Sequence, residues 1–199
     1  YQNGVSRYAI LGTYDRRFLD SLNVKYYLSI NPKEKVGWKK VFTDKTVSVY
    51  QNPGVLPRAY LAKKITVFSD KKDLELFLGS KDFDPRLDAL ILGGPSTELR
   101  YDPSSKVDIS KYSSQEMVLN VSTTKPSLLV ISNSYDPGWR ALVNGVESKV
   151  YKTNSSLIGI EIKSGESLVK LTYLPATFIV GAIISVVSVV LILISLKFV

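Results

Sequence analysis

Residues 176–196 read ATFIVGAIISVVSVVLILISL, 21 positions with no charge, no amide side chain and no proline. About 20 apolar residues in a helix cross the ~30 Å hydrocarbon core of a bilayer. Serine and glycine are tolerated there because a helix satisfies its own backbone groups. A buried core helix is seldom so long and so uniformly apolar, and the run is too long and too late in the chain for a secretion signal. Whatever precedes it is therefore expected to be tethered to a membrane.

Composition narrows the chemistry. The 199 residues include no Cys and no His. Disulfides, thiolate nucleophiles, Ser-His-Asp triads and His-ligated metals are excluded. Carboxylates, Tyr, Lys and Arg are the remaining catalytic candidates, and the sequence calls for no cofactor and no metal. The formal net charge is +8. Its lysines are scattered among acids, as in DKKDLE, without an Arg-rich run, so no nucleic-acid partner is expected. A solvated basic surface, or attraction to anionic headgroups, accounts for the excess. The first residue is Tyr1, which reads as the C-terminal part of a longer protein with upstream spans.

The pattern along the chain predicts an α+β subdomain, then an antiparallel β-sandwich (jelly-roll-like), then one C-terminal transmembrane helix. Residues 14–22 have helical spacing, and 24–30 form a strand closed by a turn at Asn31 and Pro32. Residues 38–43 and 47–52 alternate around a short loop, as a hairpin does. Residues 58–68 are a strand region, 69–79 a helix capped by Ser69 and stopped by Gly79, and 87–92 a strand. The Gly-, Pro- and Ser-rich stretch 93–106 reads as a linker. From residue 107 onward the texture is all-β. Asn144-Gly145 between apolar runs is the strongest hairpin signal. The expected division is thus 1–92, linker 93–106, sandwich 107–175 and span 176–197, with Leu174-Pro175 as a very short junction.

Several segments in order resemble the C-terminal region of the YfhO family of bacterial membrane proteins. They are LDSLNVKYYLS at 19–29, VSVYQNPGVLPRAYLA at 47–62, FDPR at 83–86, YDPGWRALVNG at 135–145 and the junction TYLPATFIVG at 172–181. Asn144 stands where the family pattern commonly has Asp. The resemblance implies a polytopic protein with an extracytoplasmic C-terminal domain, grouped with glycosyltransferases that use lipid-linked sugars on cell-envelope polymers. The family's presumed catalytic acids lie near the N-terminus of the whole protein, so no catalytic residue carries over to this chain.

Candidate binding residues follow from side-chain chemistry. Tyr135, Asp136 and Trp139 could stack on and hydrogen-bond a sugar. The same residues could instead form a turn with Trp139 in the core or at the lipid interface. Arg58 and Arg86 could clamp a phosphate or carboxylate, or pair with an acid such as Asp84 or Asp88. Tyr173 and Lys170 suit a membrane interface. Asn120 and Asn154 each open an Asn-X-Ser acceptor pattern. No pair of carboxylates stands out as hydrolytic machinery.

The expected function is an extracytoplasmic accessory domain plus last span of a glycosyltransferase-like membrane protein, in envelope polysaccharide or teichoic-acid modification. The alternative is a non-enzymatic, membrane-anchored module that binds glycan or protein. Expected partners are the lipid bilayer, a lipid-linked sugar or envelope polysaccharide, and upstream spans of the same protein. The expected location is the cell membrane, with the soluble part extracytoplasmic.

Overall fold

The computed structural model describes residues 16–30, 37–94 and 99–197. The chain divides into two compact units. The first comprises residues 1–58 with 84–86, and the second comprises 59–83 with 87–199. The expected turn at Asn31 and Pro32 and the start of the 14–22 helix lie outside the described residues.

In the first unit a short helix α1 (Arg16–Ser21) precedes β1 (Tyr26–Ser29), β2 (Lys39–Thr43) and β3 (Ser48–Gln51). The strands form an antiparallel sheet in the order β1-β3-β2. The β2–β3 hairpin is closed by Asp44, whose Oδ1 accepts the Thr46 and Val47 N–H groups, both at 2.7 Å. Asp20 is fully buried and accepts 2.7 Å from the Asn52 amide, while Asn52 also donates to the Val24 carbonyl. That polar knot holds α1 to the end of β3.

The second unit holds β4 (Ala59–Leu61), β5 (Lys64–Phe68), α2 (Lys71–Leu78), β6 (Asp88–Leu92), β7 (Lys106–Tyr112), β8 (Glu116–Thr123), β9 (Ser127–Ile131), β10 (Trp139–Val143), β11 (Val146–Ser148), β12 (Val150–Thr153), β13 (Leu157–Ile162), β14 (Gly165–Tyr173) and α3 (Ala176–Lys197). A five-stranded sheet has the order β11-β10-β14-β8-β7, and a six-stranded sheet β4-β9-β13-β12-β6-β5. They pack as a β-sandwich over Met117, Leu119, Val121, Leu129, Ile131, Ile158, Ile160, Val169 and Leu171, each at most 1% exposed. Period-two alternation places those residues on the inner faces. The Asn144-Gly145 hairpin forms as expected, with φ of 52° and 81°. Residue Lys149 carries the chain from one sheet to the other between β11 and β12.

The six-stranded sheet cannot be flat. Its two edge strands, β4 and β5, are separated by only Ala62 and Lys63. Such a link spans about 10 Å, whereas six strands side by side put the edges about 24 Å apart. The sheet folds back at its weakest seam, where β12 meets β6 through the single pair Thr153↔Ile91. Asn154 holds that corner with φ 49°. Its Oδ1 accepts the Leu90 N–H at 2.7 Å and its Nδ2 donates to the Asp88 carbonyl at 3.2 Å. Its amide is therefore occupied and 8% exposed, not presented as a glycan acceptor. The fold-back encloses a second core of Ala62, Ala89, Ile91, Leu128, Val130, Tyr151 and Leu157.

The division differs from the one expected. Residues 59–92, assigned from composition to the first subdomain, pair with strands beyond residue 127. Local texture carries no information about a partner strand 70 residues away. The stretch 93–106 is not a free linker either. The Arg100 N–H donates to the Pro126 carbonyl at 2.7 Å, and buried Asp102 accepts from the Ser104 and Thr124 backbone and hydroxyl groups at 2.6–2.9 Å. These bonds, the Ser104 hydroxyl foremost, hold the Asp102 carboxyl far below the usual carboxylate range. The helix α2 also starts one residue late, its N-cap being Asp70, whose carboxylate accepts 2.6 Å from Lys72 N–H. β5 and β6 pair in parallel around α2, the one parallel pair among the described strands.

Two measurements test this packing. A Cβ on Gly159 would lie 2.2 Å from the Thr153 hydroxyl oxygen. Gly159→Ala is expected to cost about 1–3 kcal/mol in denaturant melts, by overpacking. Thr153→Ala in that background should recover part of the loss, as a coupled pair does. Asp102 contributes stability that is full above the unfolded carboxylate value of about 4 and is lost progressively as pH falls from there toward its depressed folded value. Asp102→Asn should therefore lower the melting temperature at neutral pH and flatten its fall on acidification.

Candidate functional site

The Tyr135–Trp139 segment forms the corner where β10 begins. Pro137 sets the turn, and the Asp136 carbonyl accepts the Trp139 N–H at 3.1 Å. The Asp136 carboxylate accepts the Gly138 N–H at 2.7 Å. Asp at the first and Pro at the second position are the residues such a turn favours. Trp139 pairs with Tyr173 in register, at the last rung of the β10–β14 ladder. Their rings lie 4.9 Å apart at 44°. The Trp139 indole N–H donates to the Ser134 carbonyl at 3.2 Å. Burial, and then the Asp136 carboxylate acting by charge and as hydrogen-bond acceptor, raises the Tyr173 phenol above its ordinary range.

The corner grips the start of the span. The Leu174 N–H donates to the Gly138 carbonyl at 3.0 Å. The next residue, Pro175, already accepts the Phe178 N–H at 3.0 Å, starting the helix. Strand ladder therefore passes into helix without an unbonded residue between them. Gly138 is buried and its φ is not positive, so close approach rather than backbone freedom requires it. A Cβ there would meet the Pro175 Cα at 2.9 Å and the Tyr173 ring at 3.0 Å.

Beyond that junction α3 runs 22 residues, about 33 Å at 1.5 Å per residue. Its 21-residue stretch Ala176–Leu196 has a mean hydropathy of 3.0 and none of it is buried in the protein. The Ser185, Ser188 and Ser195 hydroxyls donate to the carbonyls of Gly181, Ile184 and Ile192 at 2.8–2.9 Å. The three serine hydroxyls of the helix are thus satisfied within it.

Residues 101–185 match the family described as bacterial membrane protein YfhO. This segment belongs to the YfhO family. The match runs from the Asp102 anchor through the corner and junction into the first half of α3. The YfhO-like segments read at 19–29, 47–62 and 83–86 lie outside it. The uncharacterized protein YfhO of Bacillus subtilis (strain 168) is 28% identical over 88 residues, covering 44% of this chain. That stretch is 10% of the relative's length. No solved structure matches.

Of the residues singled out in sequence, Tyr135, Asp136, Trp139 and Tyr173 come together at the YfhO junction. Trp139 and Tyr135 are partly buried against the sandwich core. Lys170 lies three residues earlier on β14, about 10 Å along the strand. It pairs with Glu116 at 3.2 Å, as Lys111 also does, and the hydrogen bonds of both lysines hold that carboxyl below its ordinary range. Arg86 and Arg58 belong to the first unit. Arg86 grips Asp84 in a fork, Nε–Oδ1 2.8 Å and Nη2–Oδ2 2.5 Å, the fixing role rather than a free anion clamp. Arg58 is half-buried.

An open cleft of about 620 Å³ adjoins the corner, lined by Tyr135, Pro137, Trp139, Arg140, Glu147 and Lys149 among others. It offers an aromatic wall with both signs of charge, a combination suited to a glycan or headgroup. A second cavity of about 460 Å³ was not legible in sequence. There the Tyr151 hydroxyl donates to Glu161, and Lys149 Nζ lies 4.5 Å from the Tyr151 ring centre. Tyr151 and Glu161 sit on separate strands, β12 and β13, and no spacing signal links them. Among the described residues no three carboxylates gather as a metal site would require.

Gly138→Ala is expected to lower stability by about 1–3 kcal/mol, because backbone rather than a flexible side chain must yield. Differential scanning of the detergent-solubilised protein measures it. Trypsin should also cut faster at Arg140 in the variant.

Proposed function

We propose that this chain is the extracytoplasmic β-domain and closing span of a glycosyltransferase-like YfhO membrane protein. The sandwich stands at the bilayer face and positions a lipid-linked sugar or an envelope polymer beside a catalytic site formed elsewhere in the same protein. The observation that carries this reading is the junction. With β14 ending at Tyr173, Leu174 bonded to Gly138 and α3 starting at Ala176, the Trp139 corner adjoins the start of the span, which on this reading sets it at the depth of a lipid-linked headgroup. Trp and Tyr at that depth suit a membrane interface. The cleft beside Trp139 supplies stacking and charged hydrogen-bonding groups within reach.

The full-length parent in proteoliposomes, given a polyprenyl-linked sugar and an acceptor, tests it. Arg140→Ala/Lys149→Ala is expected to lower sugar transfer about tenfold, equivalent to about 1.4 kcal/mol of transition-state binding. Expression and melting temperature should hold, since Arg140 is exposed. Unchanged transfer sinks the proposal. A second reading, a non-enzymatic module that binds glycan or protein, draws on the same cleft. Retained glycan binding in a parent that never transfers sugar would favour it.

A further inference from the structure

Charge is divided unequally between the two units. Eleven of the 26 basic residues but only five of the 18 acidic ones lie in the first unit, residues 1–58 with 84–86. That unit therefore carries +6 of the net +8 in less than a third of the chain. Its described acids are turned inward or taken. Asp20 is buried against Asn52, Asp44 caps its own hairpin, and Asp84 is held by Arg86. Lys25, Lys39, Lys40 and Lys45 are all exposed.

The same unit leaves an apolar sheet face uncovered. Register places Tyr26, Leu28, Val49 and Phe42 on one side of the three-stranded sheet. Tyr26 is 49% exposed, Leu28 68%, Phe42 55%, and Ile30, just past β1, 81%. The opposite side buries Ser48 and Tyr50. A lone exposed Leu needs no explanation, but a contiguous aliphatic and aromatic face rimmed with lysine does. Lys25 Nζ sits 5.6 Å from the Tyr26 ring centre, and Lys39 lies on the same side of the sheet, across Gln51 from Tyr26.

We infer that this face is a peripheral membrane contact that binds anionic lipid headgroups. Apolar side chains that sink to the acyl boundary and lysines that stay among the headgroups are the two components of interfacial binding. The span α3 tethers the unit to a bilayer, so that surface is always at high effective concentration. Charge complementarity selects anionic lipid over neutral lipid. The inference concerns the first unit alone and stands independently of the glycosyltransferase reading.

The chain has no Cys, so a single nitroxide label can be placed by Leu28→Cys, with Lys125→Cys as the control. The whole chain is reconstituted in phosphatidylcholine vesicles with and without phosphatidylglycerol. With phosphatidylglycerol, the label at residue 28 should gain oxygen accessibility and lose accessibility to a water-soluble nickel chelate, while residue 125 stays unchanged. Lys25→Gln and Lys39→Gln should each reduce the bound fraction about fivefold, the equivalent of one basic residue near a charged surface. High salt should reverse the effect. A label that remains in water on anionic vesicles overturns the inference. So does an equal shift in neutral vesicles, or spin–spin broadening that grows with protein density, which would identify a second copy as the occupant. A soluble polyanion that shields the label in neutral vesicles would likewise replace lipid by polymer.

Discussion

Two residues between opposite edges of a sheet decide the architecture of the second unit. Ala62 and Lys63 cannot reach across six flat strands, so the β5–α2–β6 segment must double back over the sheet. The doubling costs backbone pairing at one seam, and Asn154 supplies the missing partners with its side-chain amide. Both cores follow from that turn. One lies between the two sheets and the other lies under the fold-back, with the central strands β9, β12 and β13 contributing to both. A strand buried on both faces reads as a continuous apolar run, which is what Leu128–Ile131 shows in sequence.

The membrane connection hangs from this frame at a well-supported point. β14 is the middle strand of its sheet, paired along its length with β8 and over its second half with β10. The Trp139 corner adds an aromatic contact and a backbone bond at its last rungs. The residues that looked most like a binding cluster are thus first of all a brace. Trp139 presents only part of its surface to the adjoining cleft, which narrows any ligand contact there to an edge or one face of the indole.

Local chemistry made much of this legible beforehand. The apolar run of α3, the Asn144-Gly145 hairpin, the alternation along β8 and β14, and the Asp44 loop are each determined by neighbours in sequence. Non-local pairing was not legible. Residues 59–92 look like part of a small α+β unit because their strand partners lie after residue 127. Asp102-Pro103-Ser104 could have been recognised as a side-chain-capped turn, but its second anchor at Thr124 could not. Asn154 matched an acceptor pattern while its amide serves the fold. The charge asymmetry was hidden for a similar reason: +8 over a whole chain says nothing until a boundary at residue 58 shows where it sits.

The unbroken passage from β14 into α3 has a mechanical consequence. With no swivel at residues 174–175, helix and sandwich turn as one lever about the bilayer surface. β14 is nine residues long, about 30 Å. A 20° change in helix tilt, within the range that bilayer thickness imposes, would swing the far end of the sandwich by about 10 Å. Lipid composition would then set the sandwich's angle above the membrane, and a flexible glycine-rich junction in place of Leu174-Pro175 would uncouple the two.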